Sequence, residues 1–482
     1  MRCISLLLAF PVFVVAPCMS QSGQGEWDLI PAVSRDDVKV LATHGIGTDG
    51  RHVITWIGGS TKGAPIRFDV YERVGMKHVK TVNTEWPASN HYIERWIDWN
   101  GGTYLITVDN DPKAERVDIK AQRYKLPDLT TDGEPITIGS LAVSDFNTSF
   151  WGVGLRFEQS PDGGKLLVLF DRLVDKKGKQ VAACWVFDGS WSPVQQATFE
   201  LLAISDAGTG TRAAMVDDAG VVHLLISAKY DGPDGKKGAM GHKVFRLEGG
   251  AARSVALASP AGGEVTSAGM VRNGDQLILA GFYSTKDKKG GRFHATQAAD
   301  LSGSHDLTLD PFSDASKEYT RAQVIVRSDG GYFLVGNACT PTGLDLAQHK
   351  ELSVNAYGAD GAREWNSNIP RAVGYTKYDN QGFLAVERVG TLTLLMPDPP
   401  DNVANYNAGK DPKGSDSAQK TILVRFDQAG KPSFELFGAP AYTMLYQGIS
   451  LLPDGHTVFQ HAAPAGSKMD RNQAYAFVDL SK

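Results

Sequence analysis

Three arginines occupy comparable positions along the chain and could together bind an anion. Arg95, Arg212 and Arg321 each precede the glycine turn of a predicted hairpin. A guanidinium group donates two parallel hydrogen bonds to a carboxylate, sulfate or phosphate. Arginines that converge on one point would therefore hold such a ligand from several sides.

The elements that carry these arginines belong to a repeat of one turn and two strands. The repeat occurs eight times, with its turn glycines at Gly50, Gly101, Gly163, Gly220, Gly274, Gly330, Gly390 and Gly455. Spacings of 51 to 65 residues, with strand residues on both sides of each turn, indicate a radial array of β-blades. A second hairpin follows in most units, so each unit predicts a four-stranded antiparallel blade.

The ends of the chain predict how the array closes. The last unit has a third strand at 473–480 and then stops, while residues 26–33 form an unpaired strand pattern near the start. We expect the N-terminal strand to complete the last blade and close the ring. The sequence thus predicts an all-β chain, a single β-propeller domain over 21–482 with eight blades. Seven blades, with unit seven degenerate, is the alternative.

The predicted ligand site lies where the innermost strands reach one face of the ring. Loops after the second and fourth strands of each blade emerge there, and we call it the top face. Alignment on the turn glycines places these residues at the channel mouth: His44, Arg95, Trp151, Arg212, Ser267, Arg321, Gln381 and Tyr446. The alternative is structural, with each arginine paired to a carboxylate of a neighbouring blade, such as Glu94, Glu158 or Asp379.

A second group of cations falls in three consecutive loops predicted on the same face. The loops are 171–180, 229–243 and 284–292. Their cations are Lys176, Lys177, Lys179, Lys236, Lys237, Lys286, Lys288, Lys289 and Arg292, which we call the basic arc. Such an arc would attract anionic polysaccharide or an acidic partner with salt-sensitive affinity. The alternative is that these Lys-Gly loops are ordinary solvated turns.

The N-terminus indicates export. Arg2 is followed by eleven apolar residues, Leu6 to Ala16, and Ser20 precedes a polar segment. This pattern predicts a signal peptide over 1–20, cleaved after Ser20, and a secreted or periplasmic protein. Cys18 raises lipidation as an alternative, but Pro17 fits that processing site poorly.

Charge and cysteine content exclude several classes of partner. Loss of residues 1–20 would take the net charge from −5 to −6, which argues against general nucleic-acid binding. No later apolar run is long enough for a transmembrane segment. We expect Cys184 and Cys339 to be free or buried thiols, and the protein to be a monomer.

Signatures of known catalytic and metal sites are missing from the sequence. It contains no HExxH, no convincing GxSxG and no His/Cys cluster with zinc spacing. The long insertion 397–419 contains four aspartates, but their spacing does not follow a calcium loop. We therefore expect no metal and no cofactor. A loop as long as the insertion 397–419 tends to be functional or mobile.

Three segments carry a resemblance to a known group of proteins. SPDGGKLLVLF at 160–170, SDGGYFLVGN at 328–337 and ADGAREW at 359–365 resemble repeats of bacterial secreted β-propellers, including the WD-like and quinoprotein-like groups. The tryptophan that ends each quinoprotein-type blade occurs here once, at Trp365. The resemblance therefore implies the fold and does not imply a pyrroloquinoline cofactor.

The sequence favours a binding or scaffold role over catalysis. The top face would hold a glycan, an anionic ligand or a protein partner, using arginine and aromatic groups at the channel mouth. The alternative is an enzyme acting on extracellular polysaccharide, a glycoside hydrolase or lyase. Its acid and base would then lie among the top-face carboxylates and Tyr446.

Overall fold

The strands of the chain form antiparallel sheets that follow one another in sequence. The computed structural model describes residues 28–29, 33–34, 43–49, 51–58, 65–72, 77–85, 91–111, 113–146, 155–201, 205–230, 239–257, 264–285, 287, 290–303, 306–312, 319–341, 346–377, 383–413, 420–437, 442–451, 457–464 and 472–479. Within these residues there are eight sheets. We number them as blades 1 to 8.

Blades 1 to 4 are built from consecutive strands. Blade 1 contains β3 (Thr43–Thr48), β4 (His52–Gly58), β5 (Pro65–Glu72) and β6 (His78–Glu85); blade 2 contains β7 (His91–Trp99), β8 (Gly102–Asp111), β9 (Arg116–Lys125), β10 (Thr130–Thr131) and β11 (Ile136–Ala142); blade 3 contains β12 (Arg156–Gln159), β13 (Lys165–Val174), β14 (Gln180–Asp188) and β15 (Pro193–Glu200); blade 4 contains β16 (Ser205–Val216), β17 (Val222–Tyr230), β18 (Ala239–Glu248) and β19 (Ala251–Leu257).

Blades 5 to 8 follow the same order, except that blade 8 draws strands from both ends of the chain. Blade 5 contains β20 (Glu264–Asn273), β21 (Gln276–Ser284), β22 (Gly290–Ala298) and β23 (Asp306–Pro311); blade 6 contains β24 (Tyr319–Val326), β25 (Tyr332–Pro341), β26 (Leu346–Tyr357) and β27 (Arg363–Lys377); blade 7 contains β28 (Leu384–Arg388), β29 (Thr391–Asp398), β30 (Lys420–Phe426) and β31 (Pro432–Phe437); blade 8 contains β32 (Tyr442–Leu451), β33 (Thr457–Pro464), β34 (Asn472–Asp479), β1 (Asp28–Leu29) and β2 (Val33–Ser34).

The prediction of an all-β chain built from double hairpins is confirmed. Within a blade, consecutive strands pair with one another, except that β11 pairs with β9, and β1 and β2 both pair with β34. Helical structure in the described residues is limited to α1 (Asn402–Asn407) and a 3-10 turn at Val143–Asp145. The N-terminal strand predicted at 26–33 consists of two short pieces, which both pair with β34: Asp28 faces Phe477 and Val33 faces Gln473.

Successive blades pack face to face, and their strands alternate between two apolar interfaces. On β13, Leu166, Val168 and Phe170 pack in the core shared with blade 2. The intervening Leu167 and Leu169 pack in the core shared with blade 4. Because side chains alternate along a strand, a strand buried on both faces must be apolar throughout, which explains the continuous run in this repeat.

The insertion after β29 is anchored by a buried carboxylate. Asp398 is 0% exposed, and its two oxygens accept hydrogen bonds from Asn402 Nδ2 at 2.6 Å and Tyr406 Oη at 3.0 Å. Burial raises the pKa of Asp398 and the nearby Arg371 guanidinium opposes this. Arg371 Nη2 also donates to the Pro397 carbonyl at 2.6 Å. This aspartate therefore organises the start of the insertion and its short helix.

One hairpin turn holds a residue poorly suited to it. Asn100 and Gly101 form a two-residue turn in blade 2 with φ of 47° and 69°, the pair preferred for this geometry. In blade 7 the same turn is made by Val389 and Gly390, with φ of 48° and 76°. A β-branched side chain is strained in this left-handed region. Val389 is nevertheless 84% exposed, so burial does not compensate for the strain.

We expect Val389→Asn to raise the free energy of unfolding by about 1 kcal/mol, because asparagine tolerates a positive φ. The measurement is the urea unfolding midpoint. Asn100→Val is the converse control, and it should lower stability by about 1–3 kcal/mol. It introduces the strain and also removes the bond from Asn100 Nδ2 to the Gly189 carbonyl, 2.6 Å long. An unchanged or lower midpoint for Val389→Asn would contradict the assigned strain.

Candidate functional site

The first strand of each blade forms its inner edge. The first strands of neighbouring blades lie next to one another: β3 contacts β7, β16 contacts β20, and β20 contacts β24. Five of the described first strands have a β-bulge or similar register shift, namely β7, β16, β20, β24 and β32. A bulge leaves one residue unpaired and disrupts the hydrogen-bond ladder next to it. The inner edge therefore presents backbone groups that need other partners.

Side chains from the preceding blade supply some of those partners. Arg156 Nη2 of blade 3 donates to the Thr211 carbonyl of blade 4 at 3.0 Å. Thr266 Oγ1 of blade 5 donates to the Tyr319 carbonyl of blade 6 at 2.6 Å. Thr211 and Tyr319 are each the last paired residue before a bulge. Each of these bonds thus links two blades at a point where the ladder is interrupted.

Arg95 makes a similar link between blades 2 and 3. Its Nη2 donates to the Leu155 carbonyl at 3.3 Å, and its guanidinium carbon lies 5.3 Å from the centre of the Phe157 ring. The side chain is nonetheless exposed. Burial raises the pKa of Glu158, while the guanidinium groups of Arg156 and Arg95 act in the opposite direction. Both arginines therefore interact electrostatically with the carboxyl group of Glu158.

Arg212 is the bulged residue of β16 and is held by a buried polar pair. Its Nε donates to Ser227 Oγ at 2.9 Å, and Ser227 Oγ lies 2.7 Å from His242 Nδ1. Arginine can only donate, so the Ser227 hydroxyl is free to donate to Nδ1. Burial, reinforced by Arg212, lowers the pKa of His242 to about 4. The imidazole is therefore neutral at pH 7, and the exposed Arg212 carries the positive charge.

The structure adds Arg156 to the arginines predicted from the sequence. Arg95, Arg156 and Arg212 lie four, three and four residues before the ends of β7, β12 and β16. They form what we call the arginine track of blades 2 to 4. The alignment placed Trp151 at this position, 12 residues before Gly163, whereas Arg156 lies 7 residues before that glycine. The other predicted mouth residues lie 6 to 9 residues before their turn glycines, so Arg156 fits the pattern and Trp151 does not.

The other predicted mouth residues are placed only in part. His44, Arg321 and Tyr446 lie on the inner strands β3, β24 and β32, and their side chains are outside the described structure. Ser267 lies on β20 and is buried. Trp151 and Gln381 lie outside the described residues, as does Asp379, and Glu94 is described only in its backbone.

Of the basic arc, the structure describes the loop 171–180 and Arg292. Lys176, Lys177 and Lys179 are exposed in the turn after β13, and Lys179 Nζ lies 2.6 Å from Glu200 Oε1. The remaining lysines lie outside the described residues: Lys236, Lys237, Lys286, Lys288 and Lys289. This part of the arc is an exposed turn in which Lys179 pairs with Glu200.

Arg292 differs from its prediction as a surface cation. It is only 5% exposed, and it donates to Asp310 Oδ2 and Ser353 Oγ, both at 3.1 Å. Its guanidinium carbon also lies 4.7 Å from the centre of the Phe312 ring. The alternation of β22 directs this side chain between blades 5 and 6, where it is neutralised. Arg292 therefore adds nothing to a surface arc.

The described residues contain neither a grouped set of metal ligands nor a membrane-spanning helix. In that part of the chain no three His, Cys, Asp or Glu side chains are grouped so that they could hold a metal ion. No helix in those residues is long and apolar enough to cross a membrane. Cys184 is a buried free thiol whose pKa is raised to about 12 by burial, and the Cys339 side chain is outside the described structure.

Comparison with known proteins shows likeness in structure only. No protein-family model matches the chain, and no curated protein sequence matches it. The β-propeller domain of the Trilobed protease from Pyrococcus furiosus is 11% identical, with 85% of this chain and 99% of that chain covered and a TM-score of 0.38. An α-L-arabinanase from Penicillium chrysogenum complexed with arabinobiose is 12% identical, with 70% and 96% covered and a TM-score of 0.38. Pyrococcus horikoshii acylaminoacyl peptidase is 10% identical, with 91% and 60% covered and a TM-score of 0.37.

A carboxyl on the inner edge should make stability depend on pH. Asp98 of β7 accepts a hydrogen bond from Thr103 Oγ1 at 3.1 Å, but burial and the charge of Asp49 raise its pKa from 3.8 to about 7. Between pH 3.8 and about 7, Asp98 is therefore more protonated in the folded protein than in the unfolded chain. The contribution of Asp98 to stability therefore falls as pH rises from 3.8 to about 7.

We expect Asp98→Asn to stabilise the protein by roughly 1–3 kcal/mol at pH 8 and to change stability little at pH 4. The amide oxygen still accepts from Thr103, whereas the buried charge is removed. Urea unfolding midpoints at the two pH values measure the effect. Equal differences between variant and wild type at both pH values would contradict the raised pKa.

Proposed function

We propose that this protein is an exported, eight-bladed β-propeller that binds an anionic ligand, with acidic glycans as the favoured class. The observation that carries the proposal is the arginine track. Arg95 and Arg212 are exposed at the inner edge, while their contacts with Leu155 and Ser227 fix their orientation. A pre-oriented guanidinium loses little freedom when it binds a carboxylate.

The eight blades and the closed ring are part of the same proposal. Eight sheets in sequence order and the pairing of β1 and β2 with β34 support it. Export rests on the signal peptide pattern of residues 1–20, which lie outside the described part of the chain. In such a ring the arginine track would occupy one side of the central channel.

The charge balance of the track favours an anion over a neutral sugar. Three guanidinium groups, from Arg95, Arg156 and Arg212, are accompanied by the Glu158 carboxyl, whose ionisation is opposed by burial. His242 is neutral at pH 7. Among these described side chains the guanidinium groups outnumber the carboxyl group, although the whole chain is acidic. A carboxylate from a ligand would be paired without needing another cation.

We expect Arg95→Gln and Arg212→Gln each to weaken binding of an acidic oligosaccharide about 5- to 30-fold, because each removes a charge-assisted hydrogen bond. A glycan array identifies the oligosaccharide, and titration calorimetry measures its affinity. Arg321→Gln tests the third predicted arginine. Arg253→Gln is the matched control, since Arg253 is exposed on β19 at the outer edge of blade 4.

The result that contradicts the proposal is equally direct. If Arg95→Gln and Arg212→Gln bind acidic oligosaccharides as well as Arg253→Gln does, the arginine track is only structural. Raised salt should also weaken the wild-type affinity, because part of the attraction is between exposed charges. Affinity that is insensitive to salt would contradict an anion site.

A second candidate function is hydrolysis or elimination on the same glycan, with Glu158 as acid. Its raised pKa is the specific observation, since a raised pKa is typical of the carboxyl group that acts as general acid in glycoside hydrolysis. We expect Glu158→Gln to abolish product formation while binding is retained, if this function exists. Chromatography of the bound oligosaccharide after long incubation measures it. An intact oligosaccharide with wild-type protein would exclude catalysis on that ligand.

A further inference from the structure

A cleft between blades 6 and 7 lies apart from the arginine track. Its volume is about 350 Å³. The walls come from the turns that join first and second strands, at 327–331 and 389–390, and from the second-hairpin turn at 427–431. We call this the turn face, because it is opposite to the face predicted for the anion site.

One wall of the cleft is aromatic and aliphatic. Trp365 is half-buried and stacks on Phe426, with ring centres 5.6 Å apart and planes 14° apart. Its ring also packs on Gly430, where a Cβ would lie only 2.4 Å from it. Val389 stands at the rim and is 84% exposed. A flat ring and an exposed aliphatic tip thus face the same space.

The other wall is acidic. Asp329, Glu364 and Asp427 line the cleft together with Arg327. Arg327 donates to both Asp329 and Glu364, so one guanidinium is shared by two carboxylates. Asp427 Oδ1 accepts from the backbone of its own turn. Three carboxylates against one guanidinium give the lining a net negative charge.

The strained turn at Val389 suggests that its side chain has a role outside folding. The equivalent turn of blade 2 uses Asn100, which suits the backbone and bonds to Gly189. Val389 costs stability in that conformation, and most of its side chain is in solvent. Strain that the fold does not need is characteristic of positions that contact a ligand.

We propose that this cleft binds a lysine side chain carried by an extended segment of a partner protein. The four-carbon stem of lysine would cover Val389 and the edge of Trp365, while its ammonium group would meet the acidic wall. An ammonium near an indole ring gains a further cation–π attraction. The acidic lining selects a cation, and the apolar wall selects one with a long aliphatic stem.

The experiment uses the full mature protein and a fluorescein-labelled peptide with one lysine in a glycine-serine background. Its partner peptide has norleucine in place of lysine, which keeps the stem and removes the charge. We expect the lysine peptide to bind at least tenfold more tightly, measured by fluorescence anisotropy. Asp427→Asn should weaken its binding about fivefold, and Val389→Asn about threefold.

Asp360→Asn is the matched control. Asp360 Oδ1 accepts from the Ala362 amide at 2.9 Å, just as Asp427 Oδ1 accepts from the Ala429 amide at 2.9 Å, but Asp360 does not line the cleft. Both variants keep the turn acceptor and remove one negative charge. Asp360→Asn should therefore leave the affinity for the lysine peptide unchanged.

Several results would overturn the proposal. Equal affinity for the two peptides, or equal effects of Asp427→Asn and Asp360→Asn, would exclude lysine recognition here. Tighter binding of an arginine peptide would assign the cleft to a guanidinium. A dimer that Val389→Asn dissociates would assign it to a second copy of the chain. Arg95→Gln should leave lysine binding intact, so failure at one site does not imply failure at the other.

Discussion

Burial of the blades on both faces is the constraint from which the remaining structure follows. Strands β13 and β21 contribute alternate residues to two separate cores, as β13 does with Leu166 and Leu167. Polar side chains on the faces must therefore be paired, and Arg292 shows how, with Asp310 and Ser353 as partners. Both candidate sites lie at strand edges and turns.

At the inner edge, backbone groups need hydrogen-bond partners, and the side chains that supply them could also bind a ligand. Bulges in the inner strands interrupt the ladder, and donors such as Arg156 and Thr266 reach across to the next blade. An arginine satisfies such a carbonyl with one part of its guanidinium and has further donors to offer. Arg95 does this with the Leu155 carbonyl while remaining exposed. The residues that join the blades are thus also suited to hold an anion.

Local signals in the sequence were enough for the hairpins but not for the contacts between blades. The turn at Asn100 and Gly101 has the residues that its geometry demands, and the predicted hairpins occur as four-stranded antiparallel sheets. Arg292 was predicted on the surface because its loop is rich in lysine, whereas its burial depends on Phe312 and on blade 6. Such contacts between distant segments leave no periodic signal.

The two sites differ in how far the sequence could reveal them. Arg95 and Arg212 lie 6 and 8 residues before their turn glycines, which is the position that the sequence pattern predicts for the mouth. Arg156 lies 7 residues before Gly163 and also fits this position, but the alignment assigns Trp151 to it. The cleft of the turn face unites blade 6 and blade 7 residues more than 50 positions apart, such as Arg327 and Val389. Val389 can be recognised as unusual from the sequence, because it precedes the turn glycine Gly390 at the position that Asn100 occupies before Gly101.

The central claim is that exposed arginines of the inner edge bind an anion. The most direct measurement is the salt dependence of affinity for a carboxylated oligosaccharide, compared between wild type and the Arg95→Gln, Arg212→Gln double variant. The account predicts a steep loss of wild-type affinity with salt and a much shallower dependence in the variant, because two of the interacting charges are gone. Parallel salt dependences, with equal affinities, would contradict it.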